Sequence, residues 1–186
     1  MDDIIKLINV EKEFFGFKLG PLDLNIKKGT VTGLIGENGA GKSTTLKLLL
    51  NALKKDRGTI EVFGKDINDL SEEEKYKIGF VYDDLYLPDT MDIGEIETFH
   101  EKLYRDFWQE DIFYGFVDRF NLPEKQAIKS FSRGMKMKLS FALALSHNAE
   151  LLILDEATSG LDPVARDDFL DILLDFIQDE NHTVLI

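Results

Sequence analysis

Apolar positions along this chain change their period several times, and each change marks an element. Leu22-Asp23-Leu24-Asn25-Ile26 alternates strictly, as a half-buried strand does, and residues 4–10 alternate more loosely and read as another strand. Lys27-Lys28-Gly29 is a turn into Val31-Thr32-Gly33-Leu34-Ile35, a short apolar run that reads as a buried strand. Over residues 43–53 the spacing becomes helical, with Leu46, Leu49, Leu50 and Leu53 on one side. A polar turn at 54–58 leads to a strand over 59–63, Ser71-Glu72-Glu73-Glu74 is a capping-box pattern opening a short helix, and residues 78–82 form a short buried strand.

The segment 83–121 is rich in acids and aromatics and shows no alternation. Leu85, Pro88 and Met91 fall in a loop, and helices are predicted over 93–107 and 111–120. The first carries Ile96, Phe99 and Leu103 as its apolar stripe, and the second packs Phe113, Phe116, Val117 and Phe120 inside before Pro123. A strong helix over 136–147 turns Leu139, Ala142 and Leu143 inward. Leu151-Leu152-Ile153-Leu154 is unbroken, as in a central parallel strand buried on both faces. Asp162 as N-cap and Pro163 in the first turn start a last helix with Phe169, Leu170, Leu173, Phe176 and Ile177 as its buried stripe. His182 reads as a solvated turn residue before a strand over 182–186. The pattern is that of an α/β domain with a helical insert.

Candidate chemistry sits between the strand at 31–35 and the helix after it. Gly36-Glu37-Asn38-Gly39-Ala40-Gly41-Lys42-Ser43-Thr44 fits G-x-x-x-x-G-K-[ST], in the strand–loop–helix context that a phosphate-binding loop requires. The glycines let the backbone approach a polyanion, whose charge then faces backbone N–H groups and a helix N-terminus. Lys42 can reach β- and γ-phosphates, and the Ser43 hydroxyl can ligate Mg²⁺. The second piece is Asp155-Glu156, which ends the apolar run. Active groups in open α/β sheets lie at the carboxyl ends of strands, so Asp155 suits a magnesium ligand and Glu156 a group that orients or deprotonates an attacking water. Phe14, Phe15 and Phe17 cluster before the loop; their spacing favours core, although one ring can serve as a platform for a base.

Composition narrows the partners. The net charge is −13, from 22 basic and 35 acidic residues, which argues against a broad nucleic-acid surface. No cysteine is present, so neither disulfides nor thiolate metal sites are available. The acidic start Met1-Asp2-Asp3 has no signal-like core, and no apolar run approaches the roughly 20 residues of a membrane span. A membrane role would therefore come through a partner.

Taken together, these motifs resemble the ATP-binding cassette (ABC) transporter ATPases, from residue 4 to the end. Residues 36–44 match the Walker A loop, Ile153-Leu154-Asp155-Glu156 matches Walker B with Glu156 at the catalytic position, and Ser132-Arg133-Gly134-Met135 matches the signature in a variant with a basic residue for its first glycine. Ser159-Gly160-Leu161-Asp162 matches the D-loop. The resemblance implies a P-loop NTPase (RecA-like) core with an N-terminal antiparallel β subdomain and an inserted helical subdomain. The core would occupy residues 1–82 and 136–186, and the helical subdomain 83–135. It implies ATP and Mg²⁺ as cofactors, with Gly36 to Thr44 on the nucleotide and Ser43, Asp83 and Asp155 on the metal. Asp83 stands where the family has Gln or Glu, one methylene shorter, a reach that a water would bridge. The family's adenine-stacking aromatic falls at Phe14 or Phe15, and Phe15 is preferred.

The same resemblance implies a homo- or heterodimer in which Ser132 and Gly134 act on the partner's ATP. It also implies an integral-membrane transporter subunit, docked around Leu85, Tyr86, Leu87 and Met91, and a peripheral, cytoplasmic place on the inner face of the membrane. The signature variant is similar to bacterial exporter-type subunits. The alternative is a soluble ABC-type ATPase acting in translation or on DNA, although paired cassettes, long coiled-coil insertions and basic surfaces are lacking here. A P-loop GTPase would need an Asn-Lys-x-Asp guanine reader, which is absent. The family's switch histidine would follow Ile186, so these 186 residues are expected to bind Mg-ATP and turn it over slowly.

Overall fold

A computed structural model describes residues 2–82, 85–155 and 163–186, apart from the side chains of 163–165. Strands β1 (Asp3–Phe14) and β2 (Phe17–Lys27) form a hairpin, and β4 (Arg57–Val62) and β5 (Lys65–Asp66) extend it into an antiparallel sheet of order β2-β1-β4-β5. The second sheet is parallel, of order β3-β8-β7-β6, from β3 (Val31–Thr32), β6 (Ile78–Val81), β7 (Leu151–Leu154) and β8 (Thr183–Leu185). The helices are α1 (Lys42–Leu49), α2 (Glu72–Tyr76), α3 (Ile93–Tyr104), α4 (Glu110–Arg119), α5 (Arg133–Leu145) and α6 (Pro163–Phe176).

Three clusters of apolar side chains hold these layers together. Leu46, Leu48 and Leu49 of α1 share one cluster with Ile5, Leu7 and Ile60 of the antiparallel sheet and with Leu151 and Ile153 of β7. The alternate residues of β7, Leu152 and Leu154, join Phe141 of α5 and Phe169 and Leu173 of α6. Every residue of β7 is thus buried, because helices cover both faces and strands flank both edges. In the third cluster, Leu139, Ala142 and Leu143 of α5 face Phe113 and Val117 of α4 and Ile93 and Ile96 of α3. Helix α5 is apolar on two sides because it lies between the parallel sheet and the helical layer.

The capping box at α2 forms as predicted. Ser71 Oγ accepts from the Glu74 N–H, and Glu74 returns a carboxylate oxygen to the Ser71 N–H. A hydrogen bond from Lys65, then that cap, hold the Glu74 carboxyl down to about 2. Asp92 and Glu95 make a second box at α3, which the sequence reading did not single out.

Five expectations change. The run at 31–35 is not a buried strand: only Val31 and Thr32 pair, Val31 is half exposed and Ile35 wholly so, because β3 has β8 as its single neighbour in the described sheet. Helix α1 stops at Leu49 rather than 53, and Asn51 takes a left-handed conformation that ends it. The stripe of α3 is rotated. Phe99 and Leu103 are exposed, while Ile93, Ile96, Glu97 and His100 face inward. Leu170 of α6 is likewise exposed, and Ile172 takes its inward place. His182 is not a solvated residue: its ring lies flat on Phe176 at 4.1 Å, and Nδ1–H donates to the Phe176 carbonyl at 2.8 Å.

The rotation of α3 has a hydrogen-bond explanation. Glu97 accepts from the Trp108 indole N–H at 3.0 Å, and His100 Nδ1–H donates to the Ile96 carbonyl at 2.8 Å, so both polar groups are buried with partners. Next to them, His147 is buried with its ring 4.1 Å from Tyr104 and almost parallel to it. Its Nδ1–H donates to the Tyr76 carbonyl at 2.7 Å, which ties the end of α2 to the segment just past α5.

Burial takes His147 down to about 4 and lowers His100 as well. An unfolded histidine titrates near about 6.5, so between those values the unfolded chain binds the extra proton and stability falls as pH falls. From pH 7.5 to pH 5, His147 alone should cost about 2 kcal/mol. The urea midpoint should therefore drop over this range, most of which lies above carboxylate titration. In His147→Phe the drop should shrink by about that amount, and an unchanged pH slope would show that His147 is not neutral in the fold.

Candidate nucleotide site

The phosphate loop is held at both ends by backbone hydrogen bonds. Before it, Leu34 N–H donates to the Ile186 carbonyl at 2.6 Å and Ile186 N–H to the Thr32 carbonyl at 2.9 Å, so the lead-in runs along β8. After it, Thr45 N–H and Oγ both donate to the Gly41 carbonyl, at 2.8 and 3.0 Å, which closes the first turn of α1. Gly41 caps that helix at φ 98°, a left-handed conformation that L side chains avoid. A Cβ there would also lie 2.7 Å from Leu19 Cδ1 and 3.3 Å from Phe17 Cζ. The loop can take this shape only with glycine at that position.

Lys42 curls back across the loop. Its ammonium donates to the carbonyls of Gly36 at 2.9 Å and Glu37 at 3.2 Å. Backbone carbonyls are weak partners for a cation compared with phosphate oxygens, so the charge is available to an incoming polyanion. Ser43 Oγ donates to Asp155 Oδ1 at 3.0 Å, across 112 residues of sequence. Asp155 itself is buried at the carboxyl end of β7, and its N–H donates to the Val81 carbonyl at the end of β6. The two predicted magnesium ligands within the described residues are therefore neighbours.

Their hard oxygens suit Mg²⁺, which keeps several waters and takes few protein ligands alongside phosphates. Consistent with so sparse a donor set, no group of three or more acid or histidine side chains with metal-binding geometry occurs among the described residues. A cleft of about 560 Å³ opens beside the loop, lined by Phe17, Asn38, Gly39, Gly41, Lys42, Ser43 and Thr44. The positive end of α1 faces the same region.

Other sequence-predicted residues lie elsewhere. Phe15 sits in the turn between β1 and β2, wholly exposed, and does not line the cleft. Ser132 caps α5, its Oγ accepting from the Met135 N–H at 3.2 Å, so Ser132-Arg133-Gly134-Met135 forms the cap and first turn of that helix. None of these four lines the cleft either; Ser132 and Arg133 are exposed, and Gly134 and Met135 partly so. Asp83, Glu156 and the predicted D-loop, Ser159, Gly160, Leu161 and Asp162, lie outside the described residues. The sequence reading missed the part played by Phe17, which is the ring in the cleft. The available signal was period two: Phe17 and Leu19 share one face of β2, and that face meets Gly41.

Comparison with known proteins agrees with this geometry. Bacitracin transport ATP-binding protein BcrA of Bacillus licheniformis is 33% identical over 194 aligned positions, covering 100% of this chain and 61% of that protein. ABC transporter ATP-binding protein YtrB of Bacillus subtilis is 30% identical over 188, covering 98% and 62%. The chain thus spans about three-fifths of the length of these relatives. Among solved structures, cbiO1 from Clostridium perfringens, part of the ABC transporter complex cbiONQ, is 25% identical with a TM-score of 0.78, over 100% of this chain and 78% of that one. An ATP-binding subunit of an ABC transporter at 23% identity reaches a TM-score of 0.83 over 98% and 78%, which bears on fold alone. The architecture is accordingly the P-loop NTPase fold, with an antiparallel sheet beside the parallel one. Residues 19–159, which include the loop, Ser43, Asp155 and the first turn of α5, match the ABC transporter family model, and the chain belongs to that family.

Proposed function

We propose that this chain binds and hydrolyses ATP as the nucleotide-binding subunit of an ABC transporter, of exporter type, and works through a separate membrane subunit. The observation that carries the reading is the Ser43–Asp155 hydrogen bond at the mouth of the phosphate loop. It sets two metal-binding oxygens beside an ammonium and a helix N-terminus. Lys42 would leave the Gly36 and Glu37 carbonyls for the β- and γ-phosphates, and backbone N–H groups around Gly39 to Ser43 would hold the rest of the triphosphate. Ser43 and Asp155 would hold Mg²⁺, with Asp83 reaching it through a water. That ion would neutralise charge developing on the transferred phosphoryl group. Glu156, one residue beyond Asp155, would orient the attacking water.

The transport role draws on the relatives, two of which are named for bacitracin transport and lantibiotic transport. No helix among the described residues is long and apolar enough to cross a membrane, so the path for substrate would belong to a partner, with this chain peripheral on the cytoplasmic face. Dimerisation is part of the proposal: the exposed cap and first turn of α5 would complete the ATP site of a second ATPase subunit, identical or not. Residues 83–135 would act as a helical subdomain between the membrane partner and a core made of 1–82 and 136–186. The net charge of −13 supports a role without nucleic acid.

The docking surface would centre on Tyr86. Leu85, Leu87 and Met91 are half-buried against the helical layer, so a charge there would strain the fold, whereas Tyr86 is 72% exposed. Tyr86 packs edge-on against Tyr82 at 5.1 Å and lines a cleft of about 230 Å³ that His147 and Tyr104 also line. Tyr82 directly precedes Asp83, so contacts here would be felt at the nucleotide.

Two results check the reading. Lys42→Ala removes a charged contact worth about 1.5–3 kcal/mol and should weaken ATP binding between tenfold and somewhat over a hundredfold; calorimetry showing wild-type affinity would remove the loop from the site. Tyr86→Glu should abolish co-purification with the membrane subunit and move the melting temperature of the isolated chain by less than about 4 °C, the shift expected for 1 kcal/mol at this size. Retained co-purification would place the docking surface elsewhere.

A further inference from the structure

We propose that Lys125 and Lys129, on the segment that leads to Ser132, hold a carboxylate-bearing cytoplasmic segment of the membrane subunit. The inference deepens the transporter reading and rests on it. Residues 125–138 carry Lys125, Lys129, Arg133, Lys136 and Lys138 and no acid, in a chain whose net charge is −13. The sign of the charge is thus reversed along one short stretch, and its neighbours decide how much of that is structural.

Two of the five cations have partners. Lys138 pairs with Asp168 at 2.7 Å, and Lys136 reaches Asp89 at 3.6 Å. Lys125, Lys129 and Arg133 are exposed and form no ion pair among the described residues. The helix dipole does not account for them either. Helices α2, α3 and α4 have acids in their first turns, as the positive end of a helix favours. Helix α5 opens on Arg133 with no acid in its first turn. Nothing local compensates these three charges, so they act on something outside the described residues.

The fold fixes this stretch beside the docking loop. Ile128 and Phe131 are buried and anchor it in the helical layer. Ile128 N–H donates to the Met91 carbonyl at 2.9 Å, and Lys129 N–H to the Asp89 carbonyl at 3.0 Å. Ser130 N–H and Oγ both donate to the Ala127 carbonyl, at 2.9 and 2.8 Å, which keeps the turn tight. The backbone of Lys129 is therefore held against the loop that carries Tyr86, three residues before Asp89. Arg133 belongs to the turn that meets the second ATPase subunit in the reading above, which leaves Lys125 and Lys129 to the membrane subunit.

Charge then selects the partner. Cytoplasmic segments of membrane proteins carry an excess of Lys and Arg, and an acidic subunit attracts them over most of its surface. That attraction gives affinity without a single orientation. A cationic strip beside Tyr86 repels such a segment locally, so only one with Asp or Glu at that point docks in register. Two exposed lysines are too few for a nucleic-acid surface on so acidic a chain.

The test uses the whole chain and the detergent-solubilised membrane subunit. Affinity is measured at about 0.02 M and about 0.5 M salt, between which the screening length falls from about 20 Å to about 4 Å. Lys125→Glu with Lys129→Glu should weaken association about tenfold at the lower salt and about twofold at the higher, with unchanged ATP affinity in the isolated chain. Lys125→Gln with Lys129→Gln should lose about threefold, and reads the effect should the Glu pair unfold. Asp and Glu residues of the membrane subunit's cytoplasmic segments are then replaced by Lys, one segment at a time. In one segment this should restore binding of the Glu pair and weaken that of the wild-type chain.

Wild-type affinity of the Glu pair at the lower salt would overturn the proposal, as would a full set of segment variants with no rescue. Flotation with vesicles of phosphatidylcholine, with and without phosphatidylglycerol, tests the bilayer in place of the protein. Binding of the wild-type chain to the anionic vesicles alone, lost in the Glu pair, would assign the lysines to lipid and overturn it too. A wild-type chain that does not associate with the membrane subunit at either salt would refute the transporter reading itself.

Discussion

Leu151, Leu152, Ile153 and Leu154 are each at most 1% exposed, and the position of the candidate site follows from that burial. A strand covered on both faces and paired on both edges has no freedom to slide or turn, because a one-residue slip would move its side chains to the opposite faces and break both ladders. Asp155 is the first residue past it. Its carboxylate can be held 3.0 Å from Ser43 Oγ only because β7 is fixed against β8, and the loop is tied through Leu34 and Ile186 to that same strand. The energy that positions Ser43 and Asp155 side by side is therefore hydrophobic, and it is stored in the sheet rather than at the site.

Helix α5 transmits the same constraint outward. Its sheet-facing side packs Phe141 on Phe169 at 4.7 Å, and its other side packs Leu139 and Leu143 into the helical layer. A helix buried on two sides cannot rotate without unpacking one of them. The cap at Ser132 is thereby presented to solvent at a defined orientation. The connection is reinforced where α5 ends, by His147 stacked between a hydrogen bond to Tyr76 and the face of Tyr104. This junction is polar and buried, so it depends on its partners being present and on the histidine being neutral.

At the nucleotide cleft the antiparallel sheet has a second role. The face of β2 that carries Phe17 and Leu19 reaches the back of Gly41, so β-sheet packing and the shape of the phosphate loop are one problem. The left-handed turn at Gly41 lets the chain enter α1 with its N–H groups toward the cleft, and the absence of a side chain there lets the two aliphatic and aromatic side chains close behind it.

Much of this was legible in the chain because it is local. The phosphate loop, the apolar run ending at Asp155, the cap at Ser71 and the strict alternation at Leu22 to Ile26 each fix a structure within a few residues, and elements appear where these signals stand. Other features depend on residues distant in sequence. Ile96, Phe99 and Leu103 form a plausible stripe by hydropathy, yet the inward face of α3 is set by Glu97 and His100, because Trp108 and a helix carbonyl satisfy them once buried. Val31 and Ile35 are apolar but exposed, because burial at β3 depends on how many strands lie beside it. Phe15 and Phe17 are alike as residues, and only the meeting of β2 with the loop places Phe17 at the cleft. The sequence by itself determined which groups are candidates for the chemistry, since that is a property of residue type and short spacing. Tertiary structure decided which of several similar side chains face one another, since that depends on long-range packing and on which buried polar groups find partners.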